Sequence, residues 1–490
     1  MIDLTSCIDG DAVSTNGGST FASIAGATST TLTIPAVTAG NSGAQYQAIF
    51  TNTLGVALSN VATLLVASLS SSGVYAQGSL PVITTSAGDQ LGTASACTGD
   101  ARVIVSTAPF ASGSTGSVAV LIRRSDGTYV NSFQLTPSET GLAAGSAVAI
   151  SSDGNTIFMG APAYQNQRGA VFIFRFNGST YVEGSPLVSA HTSAGDGSNF
   201  GWSLALSIDQ STLVVGAPGS AGLIGRTFAF VLQSGSTYTE HGSSPLVSAS
   251  GAANDRAGTS VAVSSSGSVI ASGASGFGGQ GAVVVFQRIG ASYSEATLAG
   301  GGPLTMAGSL LLGARVAIAD DGTVFATNQR PISVVAFSLA GTYSISASKG
   351  IASGTLSNPA SIVVTPSGSL LLVGDIGAGG RQGAVFQYTL NTANATYSLT
   401  QTFVSAATTA GQDAQVGYSL AISQDPATSL VVAGANDYNV FNGAVFVFVL
   451  PPVIAPQPQT TTVQVYQPVT FFSGTTSAQY GIQWYVQQKL

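Results

Sequence analysis

The sequence predicts an all-β protein whose largest part is a seven-bladed β-propeller, and three observations lead to this prediction. Charged residues make up 7% of the 490 residues, hydrophobic residues make up 44%, and glycine occurs 61 times. Small residues thus interrupt short apolar runs, which is typical of many short strands joined by turns. A small residue followed by tyrosine also recurs seven times at intervals of 50 to 57 residues, which predicts a structural repeat. These tyrosines are Tyr75, Tyr129, Tyr181, Tyr238, Tyr293, Tyr343 and Tyr397.

The third observation is a second landmark, similar to Gly-Ala-Pro, which keeps the same phase as the tyrosines. The fifth copy, near "FATNQ", has lost it. The other copies are "TAPF" near Pro109, "GAP" at 160–162 and 216–218, "GAS" at 273–275, "VGD" at 373–375 and "AGAN" at 433–436. Two landmarks in one phase predict one supersecondary unit per repeat.

Each repeat is expected to contribute four strands. In the third copy these are "WSLALSI", "STLVVGAP", "RTFAFVLQ" and "TYTEHGSSPLVSAS", in which apolar residues alternate or run together as in packed strands. The first strand carries small and β-branched residues, which suit a position crowded against a central axis. Four-stranded units that repeat radially predict a β-propeller.

The first tyrosine precedes any complete repeat, and the last repeat lacks an outer strand. We expect residues 74–85 to supply the outer strand of the blade begun at 416–450, which closes the ring and covers two sheet edges. The predicted propeller domain is 71–450.

The stretch "FGWSLALS…LVVGAP", with "GAVFIF", "GAVVVF", "GAVFQY" and "GAVFVF", resembles the FG-GAP repeats of integrin α-subunit propellers. This resemblance implies a propeller in which many blades carry an Asp-rich calcium loop between their first two strands. Here no such loop holds more than two aspartates, whereas calcium takes six to eight oxygen ligands. The pairs Asp153-Gly154 and Asp321-Gly322 predict plain turns, so we expect no metal and no cofactor.

Both ends resemble halves of immunoglobulin-like sandwiches. Residues 1–70 resemble the late strands, with Tyr46 at the tyrosine-corner position and Ala48 in place of the second cysteine. Residues 451–490 resemble the early strands, with Trp484 as the core tryptophan. Three interpretations stay open: a segment of a longer chain, head-to-tail completion between copies, or pairing within one chain.

Composition excludes several classes of partner. The net charge of −7, with 13 Lys and Arg residues, argues against nucleic-acid binding, and no run of 18 apolar residues predicts membrane insertion. The first residues lack the basic and apolar regions of a signal peptide, so either a leader has been removed or the chain is part of something longer. Cys7 and Cys97 fit no metal spacing and are either separate thiols or a disulfide.

Few residues suit chemistry. His191 and His241 fall at different repeat positions and are interpreted as solvated loop residues, as are Asp196 and Asp255. No nucleophile elbow, zinc motif or phosphate loop occurs, so the sequence predicts that the protein is not an enzyme. The sequons at Asn177 and Asn394 share an exposed turn and are candidate N-glycosylation sites.

The sequence therefore favours a non-enzymatic extracellular or cell-surface protein with a structural or adhesive role, a repeating unit of a filament or array. Its expected partners are copies of itself or neighbouring domains of a longer chain. The alternative is an integrin-like propeller module that binds a protein or glycan through its loops. An enzyme with a site at the axial mouth of the propeller is a third hypothesis.

Overall fold

The computed structural model describes most of the central chain and short stretches of the N-terminal part. The described residues are 10–16, 19–24, 44–52, 55–58, 62–64, 74–77, 83–84, 86, 88–124, 128–233, 237–296, 302–340, 342–346, 349–351, 356–391, 394–405, 413–423 and 430–449. The chain divides into two compact units, Met1–Gln77 and Gly78–Leu490. The predicted 451–490 half domain, with Trp484, lies outside the described residues, and the boundaries predicted at 70 and 450 stay predictions.

The first unit contains one antiparallel sheet among its described residues, in the order Ala22–Ser23 (β2), Gly10–Ser14 (β1), Ala44–Asn52 (β3) and Gly55–Leu58 (β4), with Ala62–Leu64 (β5) also beside β3. Tyr46 lies in the nine-residue strand β3, paired with Val13 on one side and Ala62 on the other. The immunoglobulin-like prediction for this segment stays a prediction. The unit also includes the strand Val74–Gln77 (β6).

The second unit contains seven antiparallel sheets among its described residues, each with four strands from this unit. The first strand of each sheet contacts the first strands of the sheets before and after it, and the seventh contacts the first. The seven first strands are Ser95–Cys97 (β8), Val148–Ile150 (β12), Ser203–Leu206 (β16), Ala257–Val263 (β20), Val316–Ile318 (β24), Pro359–Val364 (β28) and Ser419–Ile422 (β32).

The second strands are almost wholly buried, and the third strands are mostly buried, although several of them end in exposed residues. The second strands are Val103–Ala108 (β9), Thr156–Ala161 (β13), Thr212–Ala217 (β17), Val269–Ala274 (β21), Val324–Gln329 (β25), Leu370–Asp375 (β29) and Leu430–Ala435 (β33). The third strands are Ser117–Arg123 (β10), Ala170–Phe176 (β14), Arg226–Leu232 (β18), Ala282–Ile289 (β22), Ile332–Ala340 (β26), Ala384–Asn391 (β30) and Ala444–Val449 (β34).

The fourth strand of the first six sheets follows the repeat tyrosine, as predicted. These strands are Tyr129–Leu135 (β11), Tyr181–Glu183 (β15), Tyr238–Glu240 (β19), Ser292–Ala296 (β23), Thr342–Ile345 (β27) and Thr396–Ser405 (β31). The seventh sheet takes its fourth strand from the beginning of the unit, where Ile83–Thr84 (β7) pairs with Val445 and Ala444. Within the predicted segment 74–85, these two residues pair with the last sheet.

The hydrophobic core lies between consecutive sheets. One buried cluster joins the second and third sheets through Phe158, Phe200 and Phe228, and another joins the seventh and first through Val432 and Ile104. Because each sheet is apolar on both faces, packing against two neighbours removes both faces from water. The all-β prediction is confirmed, and the architecture is that of a β-propeller.

Short helical turns connect the second and third strands of several sheets. They are Ala111–Ser114, Tyr164–Gln167, Ser220–Leu223, Phe277–Gly279, Ala378–Arg381 and Tyr438–Phe441. In the third sheet Ala221, Gly222 and Leu223 have φ of 54°, 70° and 68°. These left-handed residues form the turn that reverses the chain between the second and third strands. Among the described residues, no helix has the length and apolar content needed to cross a bilayer.

Candidate functional site

The glycine of the "GAP" triplet lies where consecutive sheets touch, against the residue of the next sheet that corresponds to the glycine of "FG". Ser203 of the third sheet donates a hydrogen bond to the carbonyl oxygen of Gly258 in the fourth, at 2.8 Å. Opposite Ser203 stands Gly216 of the "GAP" triplet, where an added Cβ would lie 2.1 Å from that same oxygen. The "GAP" glycine is therefore required by the close approach of the next sheet's "FG" glycine.

This contact recurs in five of the seven sheets. The serine-to-glycine hydrogen bonds are Ser146 to Gly201 (3.1 Å), Ser203 to Gly258 (2.8 Å), Ser260 to Gly313 (2.9 Å), Ser361 to Gly417 (2.6 Å) and Ser419 to Gly92 (2.8 Å). The last of these joins the seventh sheet to the first. Each bond satisfies a carbonyl that no strand partner reaches.

Two sheets depart from the pattern in a related way. In the first sheet Thr107 replaces the "GAP" glycine and donates to Gly145 at 2.7 Å, and Ala94 replaces the opposing serine. In the fifth sheet Thr327 replaces the glycine, which explains the lost landmark, and Arg315 replaces the serine. Thr327 accepts a hydrogen bond from the Arg315 backbone at 3.1 Å, as Thr107 does from Ala94 at 3.0 Å.

Residues in and beside the first strands of the sheets line a cavity of about 600 Å³, which we call the axial cavity. Arg315 is one of its lining residues. Its Nε donates to the carbonyl of Ala360 at 2.6 Å and its Nη1 to that of Ala314 at 2.9 Å. Among the described residues, no carboxylate pairs with this guanidinium. Burial lowers the pKa of Arg315, although an arginine remains charged at neutral pH.

The same cavity carries two large aromatic side chains that are open to solvent. Trp202 and Phe110 are each 45% exposed. Trp202 follows the "FG" glycine of the third sheet, a position held by Thr259 in the fourth and Tyr418 in the seventh. Exposed aromatic groups around a cavity that also holds a charge are typical of a ligand site.

A second, smaller cavity of about 330 Å³ also lies along the first strands and is lined mainly by aliphatic side chains. Cys97 lines it, and burial, with a smaller effect of Asp100, raises the pKa of its thiol to about 12. At neutral pH the thiol is protonated and unreactive. Cys7 lies outside the described residues, so the question of a disulfide stays open.

The aspartates of the candidate calcium loops are engaged by their own turns. Asp153 accepts hydrogen bonds from Ser151 Oγ at 2.5 Å and Asn155 N at 2.9 Å. Partial burial alone would raise the pKa of Asp153, but these hydrogen bonds hold it below its ordinary value. Asp209 and Asp321 have lowered pKa values for the same kind of reason. Within the described ranges, no group of three or more His, Cys, Asp and Glu residues could hold a metal ion.

Both sequon asparagines lie in exposed turns between a third and a fourth strand. The Asn177 side-chain oxygen accepts from the backbone of Ser179 and Thr180 at 3.0 and 2.9 Å, and Asn394 accepts from Thr396. Both residues are exposed, and the hydrogen bonds of their turns use the side-chain oxygens. Glycosylation at these positions stays a prediction.

The two histidines lie in different environments, and so do the two aspartates interpreted as solvated loop residues. His191 Nε2 lies 3.8 Å from Glu240 Oε1, whereas His241 packs edge-on against Tyr293. Asp196 is exposed and caps its own loop by accepting from Ser198. The interpretation of Asp255 as solvated is wrong, since it is 4% exposed and accepts from Ala252 N at 2.5 Å. A tight loop stabilised by this bond buries the carboxylate, which sequence spacing does not reveal.

No family model and no curated protein matches the sequence. Solved structures do match, among them a protein from Lactobacillus plantarum that is 13% identical with a TM-score of 0.50, over 72% of this chain and 93% of that one. A Bacteroides uniformis protein assigned as a 6-phosphogluconolactonase is 12% identical with a TM-score of 0.48, over 74% and 92% of the chains. A streptogramin B lyase is 11% identical with a TM-score of 0.46, over 74% and 96%. At these identities the likeness concerns the fold alone, and it supports a β-propeller.

The prediction that the chain is not an enzyme is corrected by this comparison. Two of the three similar structures carry the names of enzymes. The physical reason is that a propeller can assemble an axial site from residues of several blades, which leaves no motif of fixed spacing to find. Their activities do not transfer to this chain. None of the three is named as an FG-GAP protein, and that resemblance stays a prediction.

Proposed function

We propose that this chain is an extracellular structural or adhesive protein whose copies join head to tail through their terminal segments. The observation that carries the proposal is the sheet of the first unit, in which β3 is paired on both edges. A sheet gains most of its stability from a second layer packed on its face. Residues 451–490, rich in alternating apolar positions and Trp484, supply that layer from a neighbouring copy.

The low charge supports close association of copies. The 490 residues contain 13 Lys and Arg and 20 Asp and Glu, so little charge loses its hydration when surfaces meet. A contact between different surfaces of identical chains repeats, and it produces a filament when its rotation does not close a ring.

Two truncated chains test the proposal directly. A chain without residues 453–490 and a chain without residues 1–70 should each stay monomeric, whereas the full chain forms multimers. Mixing the two truncated chains should give a one-to-one dimer, because one keeps the sheet and the other keeps its cover. Light scattering after size exclusion measures all four samples. Multimers of either truncated chain alone would contradict head-to-tail joining.

We also propose that the seven sheets are the blades of one closed FG-GAP-like ring, sealed by Ile83 and Thr84. The support is that the seventh and first sheets repeat the contacts of the other pairs. Ser419 donates to Gly92, and the bridge between Leu91 and Gly443 matches the one between Ala257 and Gly225. A sealed ring leaves no exposed edge on its last sheet.

The closure predicts different stabilities for two shortened chains. A chain that begins at residue 71 keeps the closing strand, and a chain that begins at residue 87 lacks it. We expect the second to melt at a lower temperature and less cooperatively, as measured by calorimetry, because the edge of β34 becomes unpaired. Equal melting of the two chains would show that closure does not depend on this strand.

A second candidate function is ligand binding at the loops of the propeller face. The cavity that holds Arg315, Trp202 and Phe110 favours it, because a purely structural block has no need for exposed aromatic groups at its axis. A glycan and peptide array probed with the full chain tests this function. A Trp202→Ala variant, which should lose any signal from the cavity, is the control.

A further inference from the structure

We propose that the axial cavity binds an acidic sugar, whose carboxylate pairs with Arg315 and whose ring packs against the exposed aromatic groups. This proposal deepens the second candidate function and rests on it. It concerns the part of the axial cavity where the fifth sheet departs from the repeat.

Arg315 makes the contact between the fifth and sixth sheets through Nε, but this contact does not require a guanidinium, because a serine or threonine hydroxyl makes it in other sheets. The first sheet makes the equivalent contact with the pair Ala94 and Thr107, and the fifth has the same threonine in Thr327. In the first sheet alanine suffices at this position, because the Thr107 hydroxyl makes the bond to the next sheet. Holding a half-buried guanidinium there without a carboxylate partner costs free energy, which binding of an anion would recover.

The hydrogen bonds of Arg315 leave the Nη2 group of its guanidinium available. Nε and Nη1 donate to the carbonyls of Ala360 and Ala314, which fix the plane of the guanidinium. Nη2 has no protein partner among the described residues. A fixed guanidinium with free N–H groups is arranged to receive a carboxylate.

The charge of the cavity selects among anions. Arg315 is the one charged side chain among its described lining residues, and no acidic side chain lines it. One positive charge is balanced by a carboxylate, whereas a phosphate dianion would remain half neutralised at neutral pH.

The remaining lining suits a sugar ring. Trp202 offers an exposed aromatic face, and Tyr418 lies near enough to Arg315 to interact with it electrostatically. Gln90, Thr93 and Thr259 add polar groups to the lining of the cavity. The volume of about 600 Å³ falls in the range of small-ligand pockets and accommodates a disaccharide.

Calorimetric titration of the full chain tests the proposal with two matched ligands. One is a disaccharide that ends in glucuronic acid, and the other is the same disaccharide with its carboxyl reduced to an alcohol. We expect the acid to bind at least about tenfold more tightly than the alcohol, the difference expected of a charge-assisted hydrogen bond. Inorganic phosphate should bind more weakly than the acid.

Variants locate the binding. Arg315→Ala, which copies the first sheet, should weaken binding of the acid about tenfold or more and leave binding of the alcohol unchanged. Arg315→Lys should give an intermediate loss, and Arg124→Ser, at an exposed turn, should change nothing. Circular dichroism confirms that each variant is folded.

Three outcomes overturn the proposal: no binding of the acid, equal binding by Arg315→Ala, or tighter binding of phosphate. If the alcohol binds as tightly as the acid and Trp202→Ala abolishes both, the ligand-binding function stands and the acidic assignment falls. If neither disaccharide binds and the array shows no signal that depends on Trp202, both fall.

Discussion

Replacing Gly273 by alanine is expected to lower the free energy of unfolding by about 3 kcal/mol, the upper range for an overpacked core. The new Cβ would lie 1.8 Å from the carbonyl oxygen of Gly313 and 2.5 Å from Ser260 Oγ. Neither neighbour can retreat easily, because Gly313 lies at the start of the next sheet and Ser260 is bonded to it at 2.9 Å. The variant must therefore separate two sheets.

Urea denaturation monitored by circular dichroism measures this effect. Gly242→Ala is the matched control, because no heavy atom lies within 4 Å of its added Cβ, and it should change stability by less than about 0.5 kcal/mol. The double variant Ser260→Ala with Gly273→Thr copies the Ala94 and Thr107 pair of the first sheet and should recover part of the loss. Equal stability of Gly273→Ala and the control would mean that the sheets do not approach as described.

The sequence predicted the repeat because both landmarks have local physical causes. A tyrosine begins or nearly begins each of the first six fourth strands and bonds the turn of its own sheet, so its spacing counts sheets. The "GAP" glycine is fixed by contact with the next sheet, so its phase marks where sheets meet. Such constraints act at most copies and leave a periodic signal.

The candidate site left no such signal. Arg315 and Trp202 stand out once they are aligned with Ser260 and Thr259, the residues of the neighbouring repeat, and compared with them. Even then, only the fold brings residues of the third, fifth and seventh sheets to one cavity. The burial of Asp255 depends likewise on a loop conformation that its neighbours in sequence do not specify. Sites assembled across repeats are therefore found from departures from the repeat, not from motifs.

Tyr343 is the repeat tyrosine whose truncation is expected to destabilise the protein most. It is fully buried, and its hydroxyl donates to the carbonyl of Gly322 at 3.0 Å in the turn of the same sheet. Tyr181 makes the equivalent bond to Gly154 at 2.6 Å but is half-exposed. The two residues share a role and differ in burial, so they separate the contribution of packing from that of the hydrogen bond.

Tyr343→Ala should lower the free energy of unfolding by about 4 kcal/mol, the cost of a large cavity in a core. Tyr343→Phe keeps the ring and should cost about 1 kcal/mol, the contribution of one hydrogen bond. Tyr181→Ala should cost less than Tyr343→Ala, because the ring at 181 is already partly in water. Denaturant midpoints of the four proteins, including the unchanged chain, give the order. If Tyr343→Phe were as damaging as Tyr343→Ala, the turn bond and not the buried ring would be what the repeat tyrosine supplies.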